Sequence, residues 1–288
     1  MRQIRRRATH GAKPMKRWSQ RFDELEKKFK MGDHALSAID DIKTGRNCGK
    51  PNGVANNHIL PRTFVKNYYR PLTQVSRCPA QHLKRWTKIP IGAVASRKNF
   101  YTIIASDGTD NTTLEQFFGR IETHVPSWLK DNGIHPYNRG ETEYWLAWFI
   151  ATQLLRTPLA AKAQKQLHKV NPPNMPIGVH IAANLYQAQK TAKLIFSWHW
   201  TMWKLDSHQS EEETLLGESC VYRYHGGVIF NIQKNTALTC SPRINTPCET
   251  LECKSKKQEL IMVRELNKLT VKTNKANGGY LYRSTPPK

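Results

Sequence analysis

Apolar residues recur through the first part of the chain at the spacing of an amphipathic helix. Four large apolar side chains follow one another at intervals of four, three and four residues: Trp18, Phe22, Leu25 and Phe29. Such spacing places them on one helix face, so we predict a helix over residues 15–43. Residues 45–57 are rich in glycine, asparagine and proline, which is typical of a loop.

The next part of the chain predicts two short helices. A turn at Pro61 leads into the first, which carries Phe64 and Tyr68. The second begins after Asp110 or Thr112, because either side chain can accept a hydrogen bond from the first turn of a helix. Four apolar residues at helical spacing form its predicted buried face: Leu114, Phe117, Phe118 and Ile121.

The strongest helical pattern spans residues 141–156. Glu141 and Glu143 suit the first turn, where the positive end of the helix dipole lies, and Pro158 disfavours continuation past Arg156. The predicted core face consists of Leu146, Phe149, Ile150 and Leu154. Two more helices are predicted over residues 179–195 and 257–270.

Short stretches rich in β-branched and aromatic residues predict strands, most of them late in the chain. These stretches are residues 89–94, 100–105, 196–206, 219–224, 227–232, 280–283 and the surroundings of Leu238 and Cys240. Ser96-Arg97-Lys98 is predicted as a basic turn, and His225-Gly226-Gly227 as the turn of a hairpin. The chain is therefore predicted to be an α+β protein, with a helical central core and a C-terminal mixed or antiparallel sheet.

We expect three segments along the chain. Residues 1–14 form a basic arm without stable structure, because neighbouring arginines repel one another and few side chains there can pack. Residues 15–54 form an N-terminal helix and loop. Residues 55–285 form a single globular α+β domain, which the length of the chain allows.

Basic residues greatly outnumber acidic ones. The 288 residues include 45 Lys and Arg against 22 Asp and Glu, which gives a net charge of +23. A positive field of this size attracts polyanions, with DNA or RNA first among them; the alternative is that the charge serves solubility or belongs to a basic tail. The residues predicted to contact nucleic acid are Arg5, Arg6, Arg7, Arg17, Arg62 and Lys66.

No segment is apolar over the length that a transmembrane helix needs. The longest apolar run, residues 144–155, is shorter than the roughly 20 residues required to span a bilayer and contains Thr152 and Gln153. The N-terminus lacks the apolar centre of a signal peptide. We therefore expect a cytoplasmic protein.

The six cysteines are scattered and none forms a Cys-x-x-Cys pair. Without a secretory signal, reduced thiols are expected rather than disulfides. Cys248 and Cys253 have a spacing found in some zinc sites, but no second Cys or His pair lies close by in sequence. A divalent metal stays open as a cofactor, and its identity is unknown.

Two apolar stretches, residues 57–68 and 149–158, are interrupted by polar side chains. The first contains His58, and the second contains Gln153 and Arg156. Imidazole, amide and guanidinium groups are costly to place among apolar neighbours unless they form hydrogen bonds. The two stretches therefore indicate either a functional site or a buried polar network that stabilises the fold.

These two stretches also resemble motifs of the domain-of-unknown-function family 4238. His58 and Pro61 match the His-x-x-Pro that opens its first motif, and Asn67 matches an Asn later in the same motif. Residues 153–158 match its later Gln-x-x-Arg-Thr-Pro motif. The resemblance extends over most of residues 55–285, and it implies a fold family more firmly than an activity.

Three further segments carry the resemblance, and one departs from it. The similar segments are the helix ending Arg120-Ile121-Glu122, the aromatic stretch Trp198-His199-Trp200, and the positions Ser241-Pro242 and Asn267. Family members often have Ser-Asp-Asn-Pro after the aromatic strand, whereas this chain reads Gly217-Glu218-Ser219-Cys220-Val221. If the family Asp is functional, Glu218 is its candidate replacement here.

His58 has two interpretations. A neutral imidazole titrates near working pH, so His58 could act as a general base or metal ligand. Residues 57–61 also resemble the Asp-His-Ile-x-Pro core of HNH nucleases, in which a histidine activates water next to a metal. The alternative is that His58 orders the turn at Pro61.

Glu122, Gln153 and Arg156 complete the candidate catalytic set. Arg156 could bind a phosphate through two parallel hydrogen bonds, and Gln153 shares its helix face. Glu122 could hold a metal or orient His58. The alternative is structural, with Arg156 paired to Glu122 and Gln153 bonded to the backbone. Aromatic residues 198, 200 and 203 could stack on bases, but core packing is expected for them.

Two functions follow from these features. The first is an enzyme acting on nucleic acid, a metal-assisted phosphodiesterase or nuclease that uses His58, Glu122, Gln153 and Arg156. The second is a non-catalytic nucleic-acid-binding or assembly protein whose polar motifs stabilise the fold. An open pocket around His58 and Arg156 would favour the enzyme, and a closed core would favour the second function.

Overall fold

The computed structural model describes eleven stretches of the chain. They are residues 13–44, 56–98, 100–101, 103–104, 110–128, 134–135, 139–160, 177–205, 212–242, 249–253 and 255–284. Of the predicted basic arm, only Lys13 and Pro14 fall within them, at the start of the first helix. Arg5, Arg6 and Arg7 lie outside the described residues.

Helices make up much of the described chain. They are α1 (Lys13–Phe29), α2 (Met31–Thr44), α3 (Arg62–Tyr68), α4 (Thr113–Glu122), α5 (Val125–Trp128), α6 (Glu141–Leu155), α7 (Ile177–Asn184), α8 (Ala188–Ser197) and α9 (Lys256–Ala276). The predictions of helices near residues 114–122 and 141–156 are confirmed. Helix α6 is buried continuously from Glu143 to Gln153, so it is the centre of the core.

The predicted single helix over residues 15–43 is wrong, because the chain breaks at Lys30. The φ angle of Lys30 is 53°, which a right-handed helix cannot accommodate. Glu26 organises the break: its side-chain Oε1 accepts a hydrogen bond from the Gly32 amide at 2.6 Å. The predicted helix over residues 179–195 is likewise divided, by a 3-10 turn at Leu185–Gln187.

The N-terminus of α4 is capped by neither predicted residue. Asn111 Oδ1 accepts a hydrogen bond from the Thr113 amide at 2.9 Å. Thr112 holds the N-cap position without a side-chain cap bond, and Asp110 lies in a short strand. The predicted apolar face of this helix is buried, as the sequence indicates.

The strands form two larger sheets and two short ladders. In chain order they are β1 (Asn56–His58), β2 (Gln74–Pro79), β3 (Thr87–Pro90), β4 (Ser96–Lys98), β5 (Ile103–Ile104), β6 (Asp110–Asn111), β7 (His199–Lys204), β8 (Leu216–Gly217), β9 (Val221–Tyr224), β10 (Gly227–Gln233), β11 (Thr236–Ser241), β12 (Glu249–Glu252) and β13 (Tyr280–Arg283). The ladders pair β1 with β4 and β5 with β6.

The larger sheet has the order β12-β7-β11-β10-β9. Its neighbours are antiparallel except β12 and β7, which run parallel, so the predicted mixed C-terminal sheet is confirmed. Its hairpin turns at His225 and Gly226, both with positive φ. This geometry matches the twist of a two-residue hairpin.

The second sheet joins distant parts of the chain in the order β3-β2-β13-β8. Strand β13 pairs with β2 on one side and with β8 on the other. Strand β2 was not predicted, and the predicted strand over residues 89–94 ends at Pro90, where a 3-10 turn begins. The predicted basic turn at Ser96–Lys98 is instead β4, because Asn57 and its neighbours provide a pairing partner.

The five-stranded sheet separates the main core from a smaller one. Side chains such as Phe230 and Leu238 face the main core, which also contains the apolar faces of α1 and α2. Ile229 and Tyr222 face the other way and pack with Val263 of α9. Within the described residues, no helix is long and apolar enough to cross a membrane.

Candidate functional site

Helices α4 and α6 bring three predicted site residues together. Arg156, at the C-terminal end of α6, donates from Nη1 to Glu122 Oε1 at 3.0 Å. The Arg156 residue is only 1% exposed, and its guanidinium lies over the Phe118 ring, 4.7 Å from the centroid. The α4–α6 contact thus encloses the guanidinium between a carboxylate and an aromatic ring.

Gln153 completes this buried group, one helical turn before Arg156. In the amide orientation that satisfies both side chains, its oxygen accepts from Arg156 Nε at 3.0 Å. In the opposite orientation its nitrogen donates to the Ile59 carbonyl at 3.4 Å. The two bonds are alternatives, and only the second joins Gln153 to the first motif, since Ile59 directly follows His58.

Burial and charge pairing shift the pKa values of Glu122 and Arg156 in opposite directions. Burial raises the pKa of Glu122, and the Arg156 guanidinium offsets part of that rise. Burial alone would lower the pKa of Arg156, but Tyr101 and Glu122 outweigh it and raise that pKa. Arg156 is therefore held as a cation by its surroundings, with Glu122 as its carboxylate partner.

His58 lies at the end of β1 and is already engaged by Arg62. Its Nε2 accepts a hydrogen bond from Arg62 Nε at 2.7 Å, so the neutral ring carries its proton on Nδ1. Burial lowers the pKa of His58, and the Arg62 charge lowers it further. A base or metal ligand needs a free nitrogen lone pair, and here Arg62 occupies the one on Nε2.

The neighbours of His58 connect it to the buried group. Asn57 Oδ1 accepts from the Tyr101 amide at 2.9 Å, and Asn57 Nδ2 donates to Glu115 of α4. The Tyr101 ring lies 5.9 Å from the Arg156 guanidinium. Asn57 thus joins the first motif to α4 and to Tyr101, while the described hydrogen bond of the His58 side chain goes to Arg62.

Glu218, the candidate replacement for the family Asp, lies in a second buried polar group. Its Oε2 accepts from Arg97 Nε at 3.1 Å, and its Oε1 accepts from the Tyr282 hydroxyl at 3.3 Å. Tyr282 also accepts from the Ala95 amide at 2.9 Å. Glu218 thereby links β4, β13 and the segment after β8, which are far apart in sequence.

Cys220 lies close to the first buried group. It is fully buried, and burial raises its thiol pKa to about 12, with Arg156 acting in the opposite direction. A thiol with this pKa stays protonated and unreactive at neutral pH. Cys220 therefore serves packing rather than nucleophilic chemistry.

The described residues contain no group of three or more His, Cys, Asp or Glu side chains that could hold a metal ion. Neither His58 nor Glu122 therefore belongs to such a group within that part of the chain. Cys248, one half of the possible zinc pair, lies outside the described residues. The zinc interpretation of Cys248 and Cys253 stays a prediction.

The tryptophans of the aromatic stretch are engaged within the fold. Trp200 is buried, and its indole nitrogen donates to the Ile195 carbonyl at 2.7 Å. Trp203 donates to Thr239 Oγ1 at 3.2 Å, and Trp198 packs against the main core. These contacts favour the packing role over base stacking.

The positive charge is concentrated in one segment, a signal that our sequence analysis missed. Residues 42–106 contain twelve Lys and Arg and no Asp or Glu. The remaining 33 Lys and Arg face all 22 acidic residues, so the segment carries +12 of the net charge of +23. An uninterrupted basic stretch of this length is visible in the sequence without any structural knowledge.

The basic side chains of residues 62–98 are mostly exposed. The exposed ones are Arg62, Lys66, Arg70, Lys84, Arg85, Lys88 and Lys98. Among Lys and Arg between residues 62 and 98, only Arg97 forms an ion pair with a carboxylate of the described residues. We call these seven exposed side chains the basic surface.

The predicted nucleic-acid contacts fall partly on this surface. Arg62 and Lys66 lie one turn apart on α3 and belong to it. Arg17 is exposed on α1, where its guanidinium lies 5.4 Å from the Trp18 ring. The other predicted contacts, residues 5–7, are outside the described residues.

Comparison with known proteins identifies one family. Residues 56–175 match the family model described as a protein of unknown function, DUF4238, and this range contains both polar motifs. No curated protein and no solved structure matches the chain. The resemblance of the later segments, after residue 175, stays a prediction. The predicted resemblance is confirmed for residues 56–175, which match the DUF4238 model.

Proposed function

We propose that this protein binds nucleic acid through the basic surface, and that its two polar motifs stabilise the fold. The observation that carries the proposal is the charge of residues 42–106, twelve basic residues without an acidic one. Seven of the basic side chains are exposed, and none of these seven pairs with a carboxylate within the described chain.

Exposed cations without carboxylate partners are suited to phosphate groups. Each phosphate that they neutralise releases condensed counterions, which favours binding at low salt. Such contacts position a protein on a nucleic acid but carry no sequence information. The proposed binding is therefore strongly salt-dependent and largely independent of sequence.

The burial of the polar motifs supports the non-catalytic form of this function. A phosphodiesterase would need Arg156 to reach a phosphate, but the residue is 1% exposed and paired with Glu122. The Nε2 atom of His58 is occupied by Arg62. Arg156 and Glu122 form their ion pair with each other, as buried polar groups that hold a fold together do.

Incubation of the purified protein with labelled DNA and RNA tests binding and cleavage together. The reactions contain Mg²⁺, Mn²⁺ or EDTA, and both bound and cleaved fractions are measured. We expect complexes in all conditions, without cleavage, and with affinity falling steeply as salt is raised.

Two results would contradict the proposal. Metal-dependent cleavage that disappears in a well-folded His58→Ala variant would restore the enzymatic function. If the protein bound neither DNA nor RNA at low salt, its positive charge would not serve nucleic-acid binding. A His82→Ala variant, which changes an exposed histidine, is the matched control for the substitution.

A further inference from the structure

We infer that the β2–β3 hairpin binds unpaired bases, with Trp86 as the stacking ring and Lys84, Arg85 and Lys88 as phosphate-binding groups. This inference rests on the proposed function and narrows its ligand to single-stranded nucleic acid. A bound strand would place one base against the indole and its phosphates against the neighbouring cations.

Trp86 is held in place at the end of the hairpin loop. Its indole nitrogen donates to the Leu83 carbonyl at 2.7 Å, which fixes the ring relative to the loop. The Arg283 guanidinium lies 5.8 Å from the ring centroid. The residue remains partly exposed, in contrast to the buried Trp128, Trp148 and Trp200.

The surroundings of Trp86 are open and positively charged. Residues 81–85 and both residues that follow Trp86 are exposed. Residues 74–90 contain no acidic side chain. Glu213 lies 3.9 Å from Nε of Arg283, the cation next to the indole. A phosphate next to the indole would thus meet cations in preference to carboxylates.

The outer strand of this hairpin lies at the edge of its sheet. Strand β3 is an edge of its four-stranded sheet within the described residues. On the next strand, Arg77 stacks on Tyr280, with the guanidinium 4.7 Å from the ring centroid. Tyr280 and Arg283 are three residues apart on β13, so the Arg77–Tyr280 pair lies on the opposite face of the sheet from the Arg283–Trp86 contact. The inferred strand-binding surface is therefore the face that carries Trp86.

Single strands are favoured over duplexes because the indole needs a free base face. In a duplex both faces of each base are covered by its neighbours in the stack, so only the phosphates remain available to the hairpin. A single strand offers the same kind of charge together with an open base face. The hairpin is thus expected to discriminate by base exposure rather than by sequence.

Fluorescence anisotropy with three labelled ligands tests the inference. The ligands are a single-stranded oligothymidylate, an abasic strand of the same length and charge, and a duplex. Wild-type protein should bind the base-bearing strand most tightly. Trp86→Ala should weaken binding of that strand by about 5-fold or more and leave binding of the abasic strand unchanged.

Control variants separate stacking from charge and from folding. Trp86→Phe keeps a ring and should retain part of the affinity, while Tyr186→Ala removes an exposed ring outside the basic segment and should have no effect. A Lys84→Gln and Arg85→Gln double variant should weaken binding of the base-bearing and abasic strands alike. Thermal melts establish that each variant is folded.

The outcomes distinguish this inference from the proposed function. Equal affinity of wild-type protein for the base-bearing and abasic strands would overturn stacking, even if Trp86→Ala failed to fold. Stacking would also be overturned if Trp86→Ala weakened binding of both strands equally. Failure to bind any of the three ligands at low salt would instead overturn the proposed function.

Discussion

At the scale of single residues, the partners of Arg156 explain why a charged side chain can lie within an apolar stretch. Arg156 is buried, yet its charge is matched by Glu122, its Nε meets the Gln153 amide oxygen, and its planar face covers Phe118. A cation taken out of water is tolerated only with such compensation. The same arrangement that makes Arg156 unusual in sequence therefore makes it structural in the fold.

The first prediction concerns the ion pair between Arg156 and Glu122. Arg156→Met should lower the free energy of unfolding by about 3–5 kcal/mol. The loss should lie towards the lower end of this range because Glu122 keeps some access to water. Arg156→Lys should cost less, since it retains the charge but loses the planar fork. Urea unfolding at neutral pH measures each free energy.

A surface pair provides the control for this measurement. Arg264 and Glu212 form an exposed ion pair, so Arg264→Met should cost at most about 1 kcal/mol. Adding Glu122→Gln to Arg156→Met should recover part of the loss, because it removes the uncompensated carboxylate. If Arg156→Met costs no more than Arg264→Met, the buried pair does not stabilise the fold.

A second prediction concerns the pH dependence of stability. Burial lowers the pKa of His58 from its ordinary value of 6.5, so the unfolded chain takes up this proton more readily than the folded chain does. The stability from neutral His58 is present above about pH 6.5 and is lost as the pH falls through the lowered pKa. Burial has the same effect on His124 and His199.

Urea unfolding at about pH 7.5 and about pH 5.5 measures this effect. His58→Gln retains an acceptor for Arg62 without an imidazole to titrate, so its stability should fall less on acidification than that of the wild type. His82→Gln, at an exposed position, is the control. An identical acid-induced loss in wild type and His58→Gln would exclude His58 as a contributor.

Part of this site could be predicted from sequence and part could not. The three-residue spacing of Gln153 and Arg156 places them on one helix face, and a pairing of Arg156 with Glu122 was one of two expected arrangements. The Glu218 group was not predicted as a whole. Its members Arg97 and Tyr282 lie on strands whose neighbours are set by long-range pairing, which sequence spacing does not reveal.

At the scale of elements, long apolar patterns predicted structure better than short polar ones. Helix α6 has an uninterrupted apolar run from Tyr144 to Ala151, whereas β1 and β4 are three residues each and mostly polar. The pairing of β1 with β4 depends on Ala95, whose positive φ turns the chain into β4. The break at Lys30 was missed because its left-handed position is held by lysine, a residue that favours helices.

A third prediction concerns the start of α6. Glu143 Oε2 accepts from the Gly140 amide at 2.8 Å, and its Oε1 accepts from the His135 amide at 2.6 Å. Since Glu143 is buried, Glu143→Ala should cost about 1–3 kcal/mol by leaving two backbone donors unpaired. Glu143→Gln retains one acceptor and should cost less. Chemical unfolding measures both values.

The cap of α9 is the comparison for Glu143. Ser255 Oγ accepts from the Gln258 amide at 3.2 Å at an exposed position, so water can replace it. Ser255→Ala should cost about 0.5–1 kcal/mol, within the range for exposed caps. A larger loss for Ser255→Ala than for Glu143→Ala would contradict the role given to Glu143.

At the scale of the whole molecule, the charge is divided unequally along the chain. Residues 42–106 hold about half of the net charge in less than a quarter of the length. Elsewhere acidic side chains neutralise many of the cations, as the exposed pairs of Lys193 with Asp23 and of Lys28 with Glu141 illustrate. Nucleic acid is therefore expected to meet the basic surface first.

The basic arm gives a fourth prediction. Residues 1–14 include Arg5, Arg6 and Arg7, three cations that can add phosphate contacts. Deleting these residues should weaken binding to DNA and RNA and reduce its salt dependence, because fewer counterions are released. An unchanged salt slope after deletion, measured by fluorescence anisotropy, would exclude the arm from the binding surface.

The most direct test of binding through the basic surface compares two triple variants that remove the same three charges. Lys66, Lys84 and Lys88 of the basic surface are changed to Gln in one variant; Lys190, Lys272 and Lys275, exposed elsewhere, are changed to Gln in the other. The measurement is the slope of log affinity against log salt for a single strand. We predict that the magnitude of this slope falls by about 2 in the first variant and changes little in the second. Equal losses, or no loss in either variant, would contradict binding through the basic surface.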